Sequence, residues 1–196
     1  QGALNPFTMG VSGDVNALKV YVTNNPVNIN GPGTVHLYGS GSADPLFAGD
    51  NDFKIFMAAD LVVEAAGGST VYLIKGGGNN GAGNFSGSIT STNTVDLRIN
   101  LIANRTISGS LNHFGTFTND SAFNSRGRGL AVSGVIGGNV TDVTHRGGNF
   151  MAFSNPNNAY TGDTFVSGTS ATSRLEINAL GALPSTTSVY FSNSGS

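Results

Sequence analysis

Two neighbouring stretches decide the reading: NAYTGDTFVSG at residues 158–168 and RLEINALGALP at residues 174–184. Each holds a short alternating strand, a corner with Gly and another short strand, and the chain between them has no room for a helix. An earlier stretch, NFSGSITSTNTVDLRIN at residues 84–100, follows the same scheme. Phe85, Ser86 and Gly87 answer Tyr160, Thr161 and Gly162, while Val95, Leu97, Ile99 and Asn100 answer Leu175, Ile177 and Asn178. The two glycines lie 75 positions apart and the two asparagines 78, so a small indel in the intervening turn covers the difference. A chain that repeats itself in this way forms a solenoid, in which each unit buries its apolar side only against its neighbours. At about 25 residues per turn the two copies stand about three turns apart.

Working outward from these stretches, residues 17–74 carry longer and more aliphatic strands. Val20 and Val22 flank Tyr21, Val35 and Leu37 flank His36, Ile55 and Met57 flank Phe56, and Val71 and Leu73 flank Tyr72. Alternation with period two, rich in β-branched and aromatic residues, is the strand signal. Asn24-Asn25-Pro26, Asn30-Gly31-Pro32-Gly33 and Gly67-Gly68 break the strands with turn chemistry. From residue 84 the strands shorten and Gly, Asn, Ser and Thr separate them, as the corners of stacked turns require. The predicted core of this part is Leu97, Ile99, Leu101, Ile107, Leu130, Val132, Phe150, Phe165, Leu175, Ile177, Val189 and Phe191. The fold class is all-β throughout. Residues 1–9 read as the remnant of a cleaved tag and are set aside, 10–75 as a starting or capping portion continuous with the solenoid, and 76–196 as its repetitive part. The chain stops directly after a strand and reads as a piece excised from a longer one.

Composition sets the outer bounds. Only 10% of residues are charged, against about a quarter in an average soluble domain, and 29 of 196 are Gly without a period of three. Hydrophobic residues make up 38%, too many for a disordered chain. A net charge of −2 with no dense Lys and Arg cluster excludes a nucleic-acid surface; Arg126 and Arg128 in a Gly-rich loop read as solvated. No run approaches the 18 or so apolar residues of a membrane span. The absence of Cys fits export across a bacterial envelope, and it fits cytoplasmic proteins equally well.

Within residues 134–196, GVIGGNVTDVT at 134–144, Gly147-Gly148, Asn158-Ala159-Tyr160-Thr161-Gly162 and Leu180-Gly181-Ala182-Leu183-Pro184 resemble the autotransporter-associated β-strand repeat, also called the passenger-associated transport repeat. The resemblance is fainter over 84–111 and absent before Gly77. It implies a right-handed parallel β-helix in an exported bacterial surface protein, with no catalytic residues to carry over. Asp163 stands where the family usually has Gly, a change expected to be tolerated on the outer side of a corner.

Candidates for chemistry are few. Asp44, Asp50 and Asp52 could offer oxygens to Ca²⁺, but the positions that an EF-hand fills with Gly and Glu are Ile55 and Leu61, so they read as a solvated turn. His36, His113 and His145 lack metal-ligand spacing and read as outward or turn residues. No Gly-x-Ser-x-Gly elbow selects a nucleophile. Asp96, Arg98, Arg105, Asp142, Arg174 and Glu176 are spread thinly, with Arg98 and Glu176 at corresponding outward positions of the two repeats. Tyr21, Tyr38 and Tyr72 share the outer side of the early strands as a partner-binding strip, and Tyr160 packs inward as a corner residue.

The reading is a non-enzymatic segment of a surface-exposed or secreted passenger, a rod with an adhesive or host-interaction role. It has no cofactor and no metal, and a host or matrix protein or a glycan is its partner. The alternatives are a polysaccharide lyase or hydrolase on a β-helix, and a fragment of a toxin-like passenger.

Overall fold

The computed structural model describes residues 6–22, 25–39, 45–49, 54–76, 82–101, 104–121, 129–147, 150–168 and 173–193, and every regular element in them is a strand. The described residues wind through eight successive coils. Coil one holds β1 (Phe7–Gly10), β2 (Val15–Ala17) and β3 (Val20–Val22), and coil two holds β4 (Val27–Asn30), β5 (Thr34–Leu37) and β6 (Pro45–Gly49). Coil three holds β7 (Lys54–Met57), β8 (Asp60–Val63) and β9 (Thr70–Gly76), and coil four holds β10 (Ala82–Phe85), β11 (Ile89–Ser91) and β12 (Val95–Leu101). From coil five the middle strand is lost. The remaining pairs are β13 (Arg105–Ile107) and β14 (Gly115–Ser121), β15 (Gly129–Val132) and β16 (Val140–Gly147), β17 (Phe150–Phe153) and β18 (Thr164–Gly168), and β19 (Arg174–Ile177) and β20 (Val189–Asn193).

Like strands of successive coils pair in parallel. The first sheet runs β1-β4-β7-β10-β13-β15-β17-β19, the third runs β3-β6-β9-β12-β14-β16-β18-β20, and the second is the short β2-β5-β8-β11. This is a parallel β-helix, whose crossovers belong to the class that takes the right hand almost without exception. The register carries Phe7 through Val27, Ile55, Gly83, Arg105, Leu130 and Met151 to Leu175, so seven steps cover 168 residues, or 24 per coil. At the usual strand spacing the eight coils stand about 34 Å tall.

The second sheet fades in a way that the sequence explains. Beyond β11 it survives as single bridges, Ile89 to Leu111 and Leu111 to Ile136. Asn158 then takes over, accepting from the Ile136 N–H at 2.8 Å and donating to the Ala182 carbonyl at 2.8 Å. Gly87, Gly109 and Gly134 stack at the preceding corner, and a Cβ at Gly109 or Gly134 would overlap the carbonyl oxygen of the glycine one coil below.

Alternation places one side of each strand in the core. Ile29, Met57, Phe85, Ile107, Val132 and Phe153 form one buried row of the first sheet. Of the predicted core, Leu97, Ile99, Ile107, Leu130 and Val132 are buried as expected. Leu101 closes β12, and its side chain lies outside the described residues. Phe165 corrects the expectation: Thr164 and Val166 turn inward, so Phe165 turns out and is 37% exposed. Phe150 also faces outward, under the guanidinium of Arg174 at 5.2 Å, while Met151 fills the core. Leu175, Ile177, Val189 and Phe191 have inward parity, but they belong to the last coil; Ile177 and Phe191 are exposed and the other two half-buried.

The repeat is real, but its phase is not the one read from sequence. Val95, Leu97 and Ile99 lie in the third sheet, whereas Leu175 and Ile177 lie in the first. Gly87 turns the chain after a first-sheet strand, whereas Gly162 precedes a third-sheet strand. Both corner types present the same Gly-then-alternating pattern, so local similarity cannot tell them apart. Residues 10–75, read as a starting or capping portion, form the first coils of the solenoid, and among the described residues pairing begins at Phe7, inside the stretch set aside.

Candidate binding face

The outer side of the third sheet gathers most of the distinctive polar and aromatic groups. One outward row runs Tyr72, Arg98, Thr118, Thr144, Phe165 and Tyr190, a length of five steps or about 24 Å. Beside it Asp120, Arg146, Ser167 and Ser192 form a second row, which Lys75 and Asn100 begin. Thr70, Asp96 and Thr116 start a third. These residues occupy the face because they alternate with Val71, Leu97 and Phe117, which the core retains.

The central charges of this face satisfy one another. One oxygen of Asp96 accepts from Arg98 Nε at 2.7 Å and Nη2 at 2.5 Å, and the other accepts from the hydroxyls of Thr116 at 2.9 Å and Thr118 at 3.2 Å. Arg98 Nη1 also lies 3.6 Å from Asp120. The Asp96 hydrogen bond, with a lesser one from Tyr72, raises the pKa of Arg98 and holds it in its charged form. Lys75 lies 4.7 Å above the Tyr72 ring. Phe165 and Tyr190 stack at 5.3 Å and 14° with their edges to solvent. Such a face is patterned and suited to lying against a partner; its one carboxylate with many donors is fully engaged.

The predicted tyrosine strip divides. Tyr21 lies opposite Ala48 and Tyr72 opposite Pro45, in neighbouring outward rows of the third sheet two coils apart. Tyr38 follows β5 on another side of the rod, where its hydroxyl donates to Asn16 at 3.2 Å. Phe165 was missed as a surface residue; the inward claim of Thr164, whose hydroxyl meets that of Tyr160 at 2.6 Å, is the signal that could have placed it. Tyr160 is fully buried, as expected of the corner. Arg98 and Glu176 do not correspond, since Glu176 sits on the first sheet and pairs with Arg174 at 2.6 Å. Arg105 is inside the core. Asp142 accepts from the Asp163 N–H at 2.8 Å and Asp163 from the Ser188 N–H at 2.9 Å, so Asp163 extends an outer corner ladder in place of Gly.

Of the histidines only His36 faces outward; its Nδ1 meets Glu64 at 2.7 Å, and Glu64 accepts from Thr92 at 2.8 Å. The His36 bond leads in holding the Glu64 carboxyl below its ordinary pKa, against its partial desolvation. His113 and His145 are buried, contrary to expectation, because the corner at His113 folds over the core and His145 falls on an inward position of β16. Asp44, Asp50, Asp52, Arg126 and Arg128 lie outside the described residues. Among the described residues no three His, Cys, Asp or Glu side chains gather to hold a metal, and no helix is long and apolar enough to cross a membrane.

Comparison with family models, with curated proteins and with solved structures returns no match to this chain.

Proposed function

We propose that the chain is a rod segment of a surface-exposed or secreted bacterial passenger of the autotransporter-associated repeat type, which serves adhesion or host interaction. The observation that carries this reading is the outer face of the third sheet, eight parallel strands long, whose central charges are neutralised within the face by the Asp96–Arg98–Asp120 group. A face settled in this way offers shape, aromatic edges and hydroxyls to a protein or glycan. A polysaccharide lyase or hydrolase would instead need an acid and a base free to exchange protons with a substrate. The solenoid also supports a role in export, because each coil rests only on the one before and can be added as the chain emerges.

Binding of the purified chain to immobilised matrix proteins and to a glycan array, beside a reducing-end assay on polysaccharides, tests the reading. Saturable binding weakened by Arg98→Ala and Tyr72→Ala is expected. Turnover of any polysaccharide, or labelling of cells by antibody only after lysis, would remove it.

A further inference from the structure

The interior of the rod changes character partway along. One inward row of the third sheet runs Ile74, Ile99, Asn119, His145 and Val166. In the first sheet the corresponding row runs Ile55, Gly83, Arg105, Leu130 and Met151. Arg105, Asn119 and His145 thus fall in coils five and six, with His113 at the corner of coil five, and none of the four is more than 1% exposed.

Hydrogen bonding requires the His145 imidazole to be neutral. Asn119 donates to His145 Nδ1 at 3.1 Å, which needs a lone pair on that nitrogen. His113 donates from Nε2 to the Thr116 carbonyl at 2.8 Å, and its buried Nδ1 has no hydrogen-bond partner among the described residues. The Phe117 ring packs edge-on against His113. The charged group that acts on His113 is Asp96 on β12, already engaged by Arg98, Thr116 and Thr118.

We propose that this polar layer is an acid-triggered opening point, at which coils five and six loosen on acidification while the coils to either side stay paired. Burial pushes the His113 imidazole down from 6.5 to about 4, and the Thr116 bond and the Asp96 charge oppose the shift without cancelling it. The unfolded chain therefore takes up this proton first. Stability from the neutral layer is complete above pH 6.5 and is lost as the pH falls toward 4. Protonation of His145 removes the lone pair that Asn119 uses. Arg105, lowered by burial to about 9, stays charged throughout this window.

Hydrogen exchange with mass spectrometry on the full chain at pH 7.4 and pH 5, corrected for intrinsic rates, tests this. Peptides from residues 105–121 and 140–147 are expected to lose protection by more than about tenfold at the lower pH, while those from 27–37 and 54–63 keep theirs. The double variant His113→Gln with His145→Gln is expected to abolish that difference. A uniform loss along the rod, no loss at all, or an unchanged pH response in the folded double variant overturns the proposal. If the double variant does not fold, the wild-type exchange pattern decides alone.

Discussion

Asn158 satisfies two backbone groups from different coils with one buried amide, donating to Ala182 and accepting from Ile136. Truncation leaves both stranded, and each buried unsatisfied group costs about 1–3 kcal/mol. Asn158→Ala is therefore expected to lower stability in urea by about 2–4 kcal/mol. Tyr160→Phe removes the hydroxyl contacts with Thr164 and Thr187, and Thr164 keeps its longer contact with Thr187 at 3.4 Å, so a loss of about 0.5–1.5 kcal/mol is expected. His36 and Glu64 give a pH signature. A carboxyl lowered in the fold contributes stability that is present above its unfolded pKa and is lost as the pH falls through the lowered one. Carboxyl-detected NMR should show Glu64 titrating below its ordinary range, and moving up toward it in His36→Gln.

At the scale of the element, the corner formed by Gly87, Gly109 and Gly134 sets how closely coils approach. Its amides bond to carbonyls of the coil below, Gly109 to Phe85 and Gly134 to Ile107. A methyl at Gly109 meets backbone that cannot move without breaking those bonds, whereas Gly13 has nothing within 4 Å. Gly109→Ala is expected to cost more than about 2 kcal/mol and Gly13→Ala to stay within about 0.5, as measured by thermal unfolding. The same corner shows what sequence could reveal. Alternation marked strands such as Val35–Leu37 and Leu97–Ile99 correctly, because period two is a property of the strand alone. Which sheet a strand joins depends on the length of the corners before it, and the coil steps vary from 20 residues, between Phe7 and Val27, to 28, between Val27 and Ile55. Asp96 and Arg98 were legible as outward residues, while their union with Asp120 depends on which coils are neighbours. Phe165 misled because an aromatic in a strand suggests core, and only the pairing of Tyr160 with Thr164 decides otherwise.

For the whole molecule, a rod of stacked coils spreads its stability unevenly, because each coil is held by what lies above and below it. Phe153 and Phe191 make the contrast direct. Both have inward parity, but Phe153 sits between Val132 and Ile177 and is wholly buried, whereas Phe191 has only Val166 beneath it and is 76% exposed. Cutting a large aromatic from a packed core costs about 3–5 kcal/mol, part of it for the cavity left behind. At Phe191 little area leaves water on folding and no cavity can form, so the cost falls below about 1 kcal/mol. Phe153→Ala should therefore shift the urea midpoint strongly and Phe191→Ala hardly at all. Equal shifts would mean that the last coil is as well covered as the seventh, and would overturn this reading of the exposed Phe191.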